Sequence, residues 1–147
     1  MTRTFVDTDV FTRLDENSQP ARTEAARTLF VDTTRAFTTN ALVLAQLYSS
    51  LARRNVGGSP DRLVERLARL AVSRARHFAT IDVTPAHVST ALELVAERQM
   101  QLWDAVNWAT AIAAGCDEYA SFDAPGLPHT IRGVRYVDPL ALKHRAT

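Results

Sequence analysis

Short β-prone runs alternate along the chain with longer stretches in which apolar residues return every three or four positions. The runs are Thr4-Phe5-Val6, Ala36-Phe37-Thr38, Ala79-Thr80-Ile81, Tyr119-Ala120-Ser121-Phe122 and Val134-Arg135-Tyr136-Val137, and each predicts a short buried strand. Pro20 suits a first helical turn, and Ala25, Ala26, Leu29 and Phe30 follow at helical spacing, which predicts a helix from Gln19-Pro20 to Phe30. Thr39 and Asn40 supply caps for the next helix, whose expected core stripe is Leu44, Leu47, Tyr48 and Leu51, with Gln46 on the other side. Gly57-Gly58 end that helix, and Ser59-Pro60 open another that runs to about Phe78. A further helix is expected from Thr84-Pro85 through Met100, and one from Asp104 to Ala114 that Gly115 closes. Strands alternating with helices imply one α/β domain over residues 1–147, a parallel sheet of short strands covered by helices on both faces.

Composition narrows the classes. With 147 residues, 46% of them hydrophobic and 22% charged, the chain can bury one genuine core. Its formal charge of +1 excludes a wholly basic nucleic-acid wrapper and an acidic tail protein, while leaving room for local patches. Cys116 stands alone, which excludes an intramolecular disulfide and clustered thiolate ligands and suits a reducing cytoplasm. Asp7 and Asp9 fall where a signal peptide needs an unbroken apolar run, and no stretch approaches ~18 apolar residues. A cytoplasmic protein with no membrane association is expected.

Three aspartates stand out by position: Asp7 at the end of the first strand, Asp104 in the first turn of a helix, and Asp123 at the end of a late strand. In a parallel sheet the carboxyl ends of the strands share one rim, so Asp7 and Asp123 can converge there with Asp104 delivered by a neighbouring helix. Converging carboxylates repel one another. A hard divalent cation such as Mg²⁺ or Mn²⁺ resolves the repulsion, because it takes oxygen ligands and keeps waters that can be activated. Taken singly, each aspartate has an ordinary explanation as a turn former or a helix-dipole partner.

The segments FVDTDVF, TTNALVLAQLYSSLARR, LWDAVNWATAIAAGC, YASFD and IRGVRYVDP, in that order, carry more. From Phe5 to Pro139 the chain resembles the PIN-domain ribonucleases of the VapC toxin type. The resemblance implies a Mg²⁺-dependent acidic site that hydrolyses RNA phosphodiesters, in a homodimer silenced by a VapB-like antitoxin. It implies that the family's first acid is Asp7, its third Asp104 and its fourth Asp123, as catalytic and metal-binding residues, with Ser121 as the small hydroxyl of the last motif. The family's second acid, a glutamate, corresponds to Gln46, and no acidic residue occurs anywhere from Thr33 to Pro60. A carboxamide can ligate through its oxygen but adds no charge, so weaker metal affinity is expected unless another acid helps. Asp9 is the candidate for that help: if the strand remains extended, residues 7 and 9 project to the same side, and if the chain turns into helix there the argument fails. Glu93 and Glu97, one helical turn apart, suit a solvated face better.

Seven arginines stand against two acids between Arg53 and Arg76, a local excess of five positive charges. Arg62, Arg66, Arg69 and Arg76 share one face of the helix opened by Pro60, where with Arg53 they can dock an RNA backbone; a solvated arginine face accounts for them equally well. His77, His87, His129 and His144 lack metal-ligand spacing, and Trp103 and Trp108 suit core or dimer packing rather than base stacking. Asp7-Thr8-Asp9-Val10 also matches the opening of haloacid-dehalogenase-like phosphatases, but those require a mid-chain lysine and the only lysine is Lys143. The remaining alternative is a degenerate PIN domain that binds RNA or a protein and has lost cleavage with its second acid.

Overall fold

A computed structural model describes residues 1–15, 18–53, 77–122 and 130–142. The expected helix after Pro60, with Arg62, Arg66, Arg69 and Arg76, lies outside the described residues, as do Asp123, His129 and His144. The described elements are β1 (Thr2–Val6), α1 (Thr8–Asp15), α2 (Pro20–Phe30), β2 (Arg35–Asn40), α3 (Ala41–Arg53), β3 (Ala79–Ile81), α4 (Pro85–Arg98), α5 (Leu102–Ala113), β4 (Glu118–Ala120), β5 (Thr130–Ile131), β6 (Val134–Val137) and α6 (Pro139–Leu142).

The strands form one sheet in the order β3-β2-β1-β4-β6-β5. All neighbouring pairs are parallel except β5 with β6. The sheet is therefore mostly rather than wholly parallel, and β5 is an addition to the five strands expected. It joins β6 through Arg132 and Gly133, at φ 46° and 87°. Two consecutive positive φ values make the tight turn whose twist matches an antiparallel pair, and glycine takes the second at no steric cost. A two-residue strand is too short to give a periodic signal.

Two further differences concern helices. The chain is helical from Thr8 rather than extended through Asp9, with Val10 and Phe11 fully buried and the Thr12 hydroxyl donating to Thr8 O at 2.8 Å. Among the described side chains of α3, Val43 and Leu47 are buried, whereas Leu44 and Tyr48 are only partly covered; the Leu51 side chain lies outside the described residues. That helix is apolar at almost every position of its first two turns, so its pattern leaves the inward face undetermined until tertiary contacts choose one. The cap came out as expected: Asn40 Oδ1 accepts from the Val43 N–H at 2.7 Å. Gly115, at φ 67°, ends α5 with its N–H donating to Ile112 O and that of Cys116 donating to Ala111 O, the paired bonds of a Schellman stop.

The core runs through the central strands. Phe5 on β1 stacks on Tyr119 of β4 with centroids 5.1 Å apart, and Tyr119 stacks in turn on Trp108 of α5 at 4.1 Å and 4° between planes. Phe11, Phe30, Phe37 and Phe78 form a second aromatic cluster. Trp103 is 58% exposed, so of the two tryptophans only Trp108 packs in this chain's own core.

Candidate functional site

From the adjacent central strands β1 and β4 the sheet grows in opposite directions, to β2 and β3 on one side and to β6 and β5 on the other. The carboxyl ends of such a pair leave a crevice in which open α/β sheets place their ligands. Asp7 directly follows β1 and Ser121 directly follows β4. An open cleft of about 400 Å³ lies there, lined by Asp7, Thr8, Asp9, Thr12, Arg13, Gln46, Ser50, Arg53, Asp104 and Ser121. A larger hollow of about 530 Å³ beside the end of α2 holds the paired Asp32 and Arg35 instead. The chemistry is concentrated in the cleft, where like charges converge.

The Asp7 carboxylate is held on both oxygens: the Thr8 N–H donates to Oδ1 at 2.6 Å and the Tyr119 hydroxyl donates to Oδ2 at 2.7 Å. Burial pushes its pKa up to about 7, with the Asp9 charge adding to the rise; the bonds from Tyr119 and Thr8 oppose it, and Asp104 contributes a smaller upward push. Asp104, in the first turn of α5, is an exposed residue whose carboxyl group is still partly withdrawn from water, and this raises its pKa too. The Tyr119 hydroxyl is held well above the ordinary tyrosine value by burial and by the Asp7 carboxylate it serves.

Asp9 reaches the cleft from α1. Its Oδ2 accepts from Ser121 Oγ at 2.8 Å and from the Phe122 N–H at 2.9 Å, tying the first helix to the segment that leads towards Asp123. The extended-strand argument for Asp9 is thus overturned, although the residue sits near enough to Asp7 to shift its titration. Gln46 projects into the cleft from α3, and its Oε1 accepts from Thr8 Oγ1 at 2.9 Å and from Asn107 Nδ2 at 3.5 Å. Arg53 lines the same cleft. Glu93 and Glu97 do not; both pair with Arg132 at 3.1 Å.

Tyr119, Arg13, Thr8 and Asn107 escaped the sequence reading. For Tyr119 a signal was present, since positions 119 and 121 of an extended run share a side, and Ser121 was already a candidate. Among the described residues no three His, Cys, Asp or Glu side chains come together closely enough to hold a metal by themselves. The donor set is nonetheless one of oxygens alone, with carboxylates whose pKa values are raised chiefly by burial and, at Asp7, further by the neighbouring Asp9 and Asp104 charges, and this suits a hard cation that keeps part of its water shell.

No curated protein matches the chain. The sequence matches the family described as PIN domain over residues 4–124. Among solved structures the fold is similar to that of VapC20 from Mycobacterium tuberculosis, a sarcin-ricin loop cleaving toxin, at 24% identity and TM-score 0.67, covering 90% of this chain and 98% of that one. It is similar also to a chain of DNA-bound VapBC from Salmonella typhimurium, at 16% identity and TM-score 0.68, covering 95% and 99%. FitAcB from Neisseria gonorrhoeae gives 16% identity and TM-score 0.66, covering 92% and 97%. At such identities the likeness is one of fold.

Proposed function

The chain belongs to the PIN-domain family, and from that premise we propose that it is a divalent-metal-dependent endoribonuclease of the VapC toxin kind, held in check by a cognate antitoxin. The observation that carries this reading is the cleft at the β1/β4 crevice, in which Asp7 and Asp104 meet with raised pKa values beside Arg53. Several of the structures that share its fold are toxins or toxin-antitoxin complexes, which supports a small antitoxin as partner. We further assign the active form to a homodimer in the cytoplasm. Its single cysteine, Cys116, is buried and free there, and no described helix is long and apolar enough to cross a membrane.

Asp7 and Asp104, with Asp123 as the family resemblance implies, would hold Mg²⁺ or Mn²⁺. When bound, such an ion supplies Lewis acidity and a water of lowered pKa. The chain's own residues do the rest. Thr8 N–H and Tyr119 hydroxyl fix the Asp7 carboxylate in one orientation, so its oxygens are preorganised rather than recruited. Arg53, on the cleft wall, draws in the phosphate backbone of RNA. Asp9 keeps Ser121 and Phe122 against α1.

Gln46 in place of an acid favours the second reading, a binding domain without cleavage. The two separate on incubation of RNA with the purified chain and Mg²⁺ or Mn²⁺. We expect cleavage that EDTA abolishes and that Asp7→Asn or Asp104→Asn lowers by more than the roughly 10–100-fold typical of losing an outer-shell partner. RNA binding without metal-dependent cleavage would establish the second reading.

A further inference from the structure

We propose that Gln46 is a substrate-positioning residue that donates its Nε2–H to a phosphate oxygen of RNA in the cleft, and that it does not ligate the cation through its oxygen. The inference rests on the nuclease or RNA-binding reading above and specifies what this side chain does there.

The argument begins at a backbone group whose polarity is fixed. The Val43 N–H can only donate, so the Asn40 atom facing it at 2.7 Å is the oxygen, and the Asn40 amide nitrogen must point the other way. There it donates to Asn107 Oδ1 at 3.0 Å and to Thr110 Oγ1 at 2.8 Å, while the Thr110 hydroxyl spends its own proton on Asn107 O at 2.8 Å. Asn107 consequently turns its oxygen to Asn40 and its nitrogen to Gln46. At 3.5 Å this last contact is weak as a bond, but it fixes a sign, because the flipped Gln46 would set two donors face to face. Thr8 Oγ1, able to donate or accept, follows by donating to the same Gln46 oxygen at 2.9 Å.

The Gln46 oxygen is therefore held by the Thr8 hydroxyl and faced, at a longer distance, by the Asn107 amide. The Gln46 amide nitrogen, among the described residues, has no acceptor, and the residue is only partly buried on the wall of the Asp7–Asp104 cleft. An amide N–H facing a cleft built for phosphodiester chemistry recognises an anionic oxygen. It is repelled by a cation. The substitution of the family's glutamate thus changes the role of the position from acceptor to donor, and the amides of Asn40 and Asn107 hold it in that role.

Two measurements test this: fluorescence anisotropy of a labelled RNA oligonucleotide with Mn²⁺ present, and calorimetric titration of the RNA-free protein with Mn²⁺ alone. Gln46→Met keeps length and removes the donor; it should weaken RNA binding roughly tenfold and leave Mn²⁺ affinity within about twofold. Gln46→Glu should weaken RNA binding while tightening Mn²⁺. In Asn107→Asp the relay is reversed and Gln46 turns its oxygen outwards, so RNA binding should fall; in the Gln46→Met background the same change should cost little more. A loss of Mn²⁺ affinity in Gln46→Met, or RNA binding equal to that of the parent, overturns the proposal. Failure of the parent to cleave while it still binds RNA overturns the nuclease reading and leaves this inference standing; failure to bind RNA at all overturns both.

Discussion

Asp7 bears most of the electrostatic cost of the site. An acid whose folded pKa stands at about 7 against 3.8 ordinarily retains, between those values, a proton that the unfolded chain has lost. The folded state then binds more protons, so stability falls as pH rises from about 4 to about 7 and is level beyond. Without divalent ions, Asp7→Asn should remove this penalty, since an amide is never ionised and its oxygen can still accept from Thr8 or Tyr119. The variant and its parent should unfold at similar urea concentrations near pH 4 and diverge by a few kcal/mol at pH 8. A gap that narrows with rising pH would contradict the assignment of the raised pKa to Asp7. The same substitution should abolish metal-dependent cleavage, so activity and bare stability pull in opposite directions at one carboxyl group.

At the scale of elements, α1 is fastened to the end of β4 by one side chain. Asp9→Ala removes two hydrogen bonds to a charged acceptor, each worth about 1.5–3 kcal/mol, and leaves the Ser121 hydroxyl and the Phe122 N–H without it. We expect a loss of at least about 2 kcal/mol at pH 5 by urea denaturation. The loss should be smaller at pH 8, where removing the Asp9 charge also relieves ionised Asp7. Little of this was legible in the sequence, because Asp9 was a candidate only if the strand continued extended past Asp7, and the helix at Thr8 shows only once Val10 and Phe11 are seen buried together. Strand ends and helix first turns did reveal Asp7 and Asp104, since those positions follow from local periodicity alone. The Asn40–Asn107–Gln46 relay joins β2, α5 and α3, and a contact across 61 residues leaves no periodic trace. The Tyr119 bond to Asp7 spans 112, and its one trace is the side of β4 that Tyr119 shares with Ser121.

Across the whole molecule the two ends of the sheet carry opposite electrostatics. At the end away from the cleft, Glu118 is almost fully buried, and burial by itself raises its pKa; hydrogen bonds from Arg35 and Arg135, the Arg35 charge and the Thr4 hydroxyl outweigh this and hold it below the ordinary glutamate value. Its contribution is present above the unfolded pKa of 4.5 and is lost as pH falls through the lower folded value. With Asp7 acting in the opposite sense, the metal-free protein should be most stable in mildly acidic solution. At one fixed concentration Mg²⁺ should raise the unfolding temperature more at pH 8 than at pH 5, with a stabilisation of about 2.7 kcal/mol where that concentration reaches a hundred times its Kd, and not at all in Asp7→Asn. A shift independent of pH would show that the ion binds elsewhere. Glu118 also lies level with Thr4 on β1 and Arg135 on β6, in a strand of only three residues. Sliding β4 by a single residue would turn that carboxylate to the other side of the sheet and strand it in the interior without its arginines, at a cost of several kcal/mol. The far end of β4 thus works as a ruler: it favours a single register, and the distance along the strand from Glu118 fixes how far Ser121 stands from Asp7 before any ligand arrives.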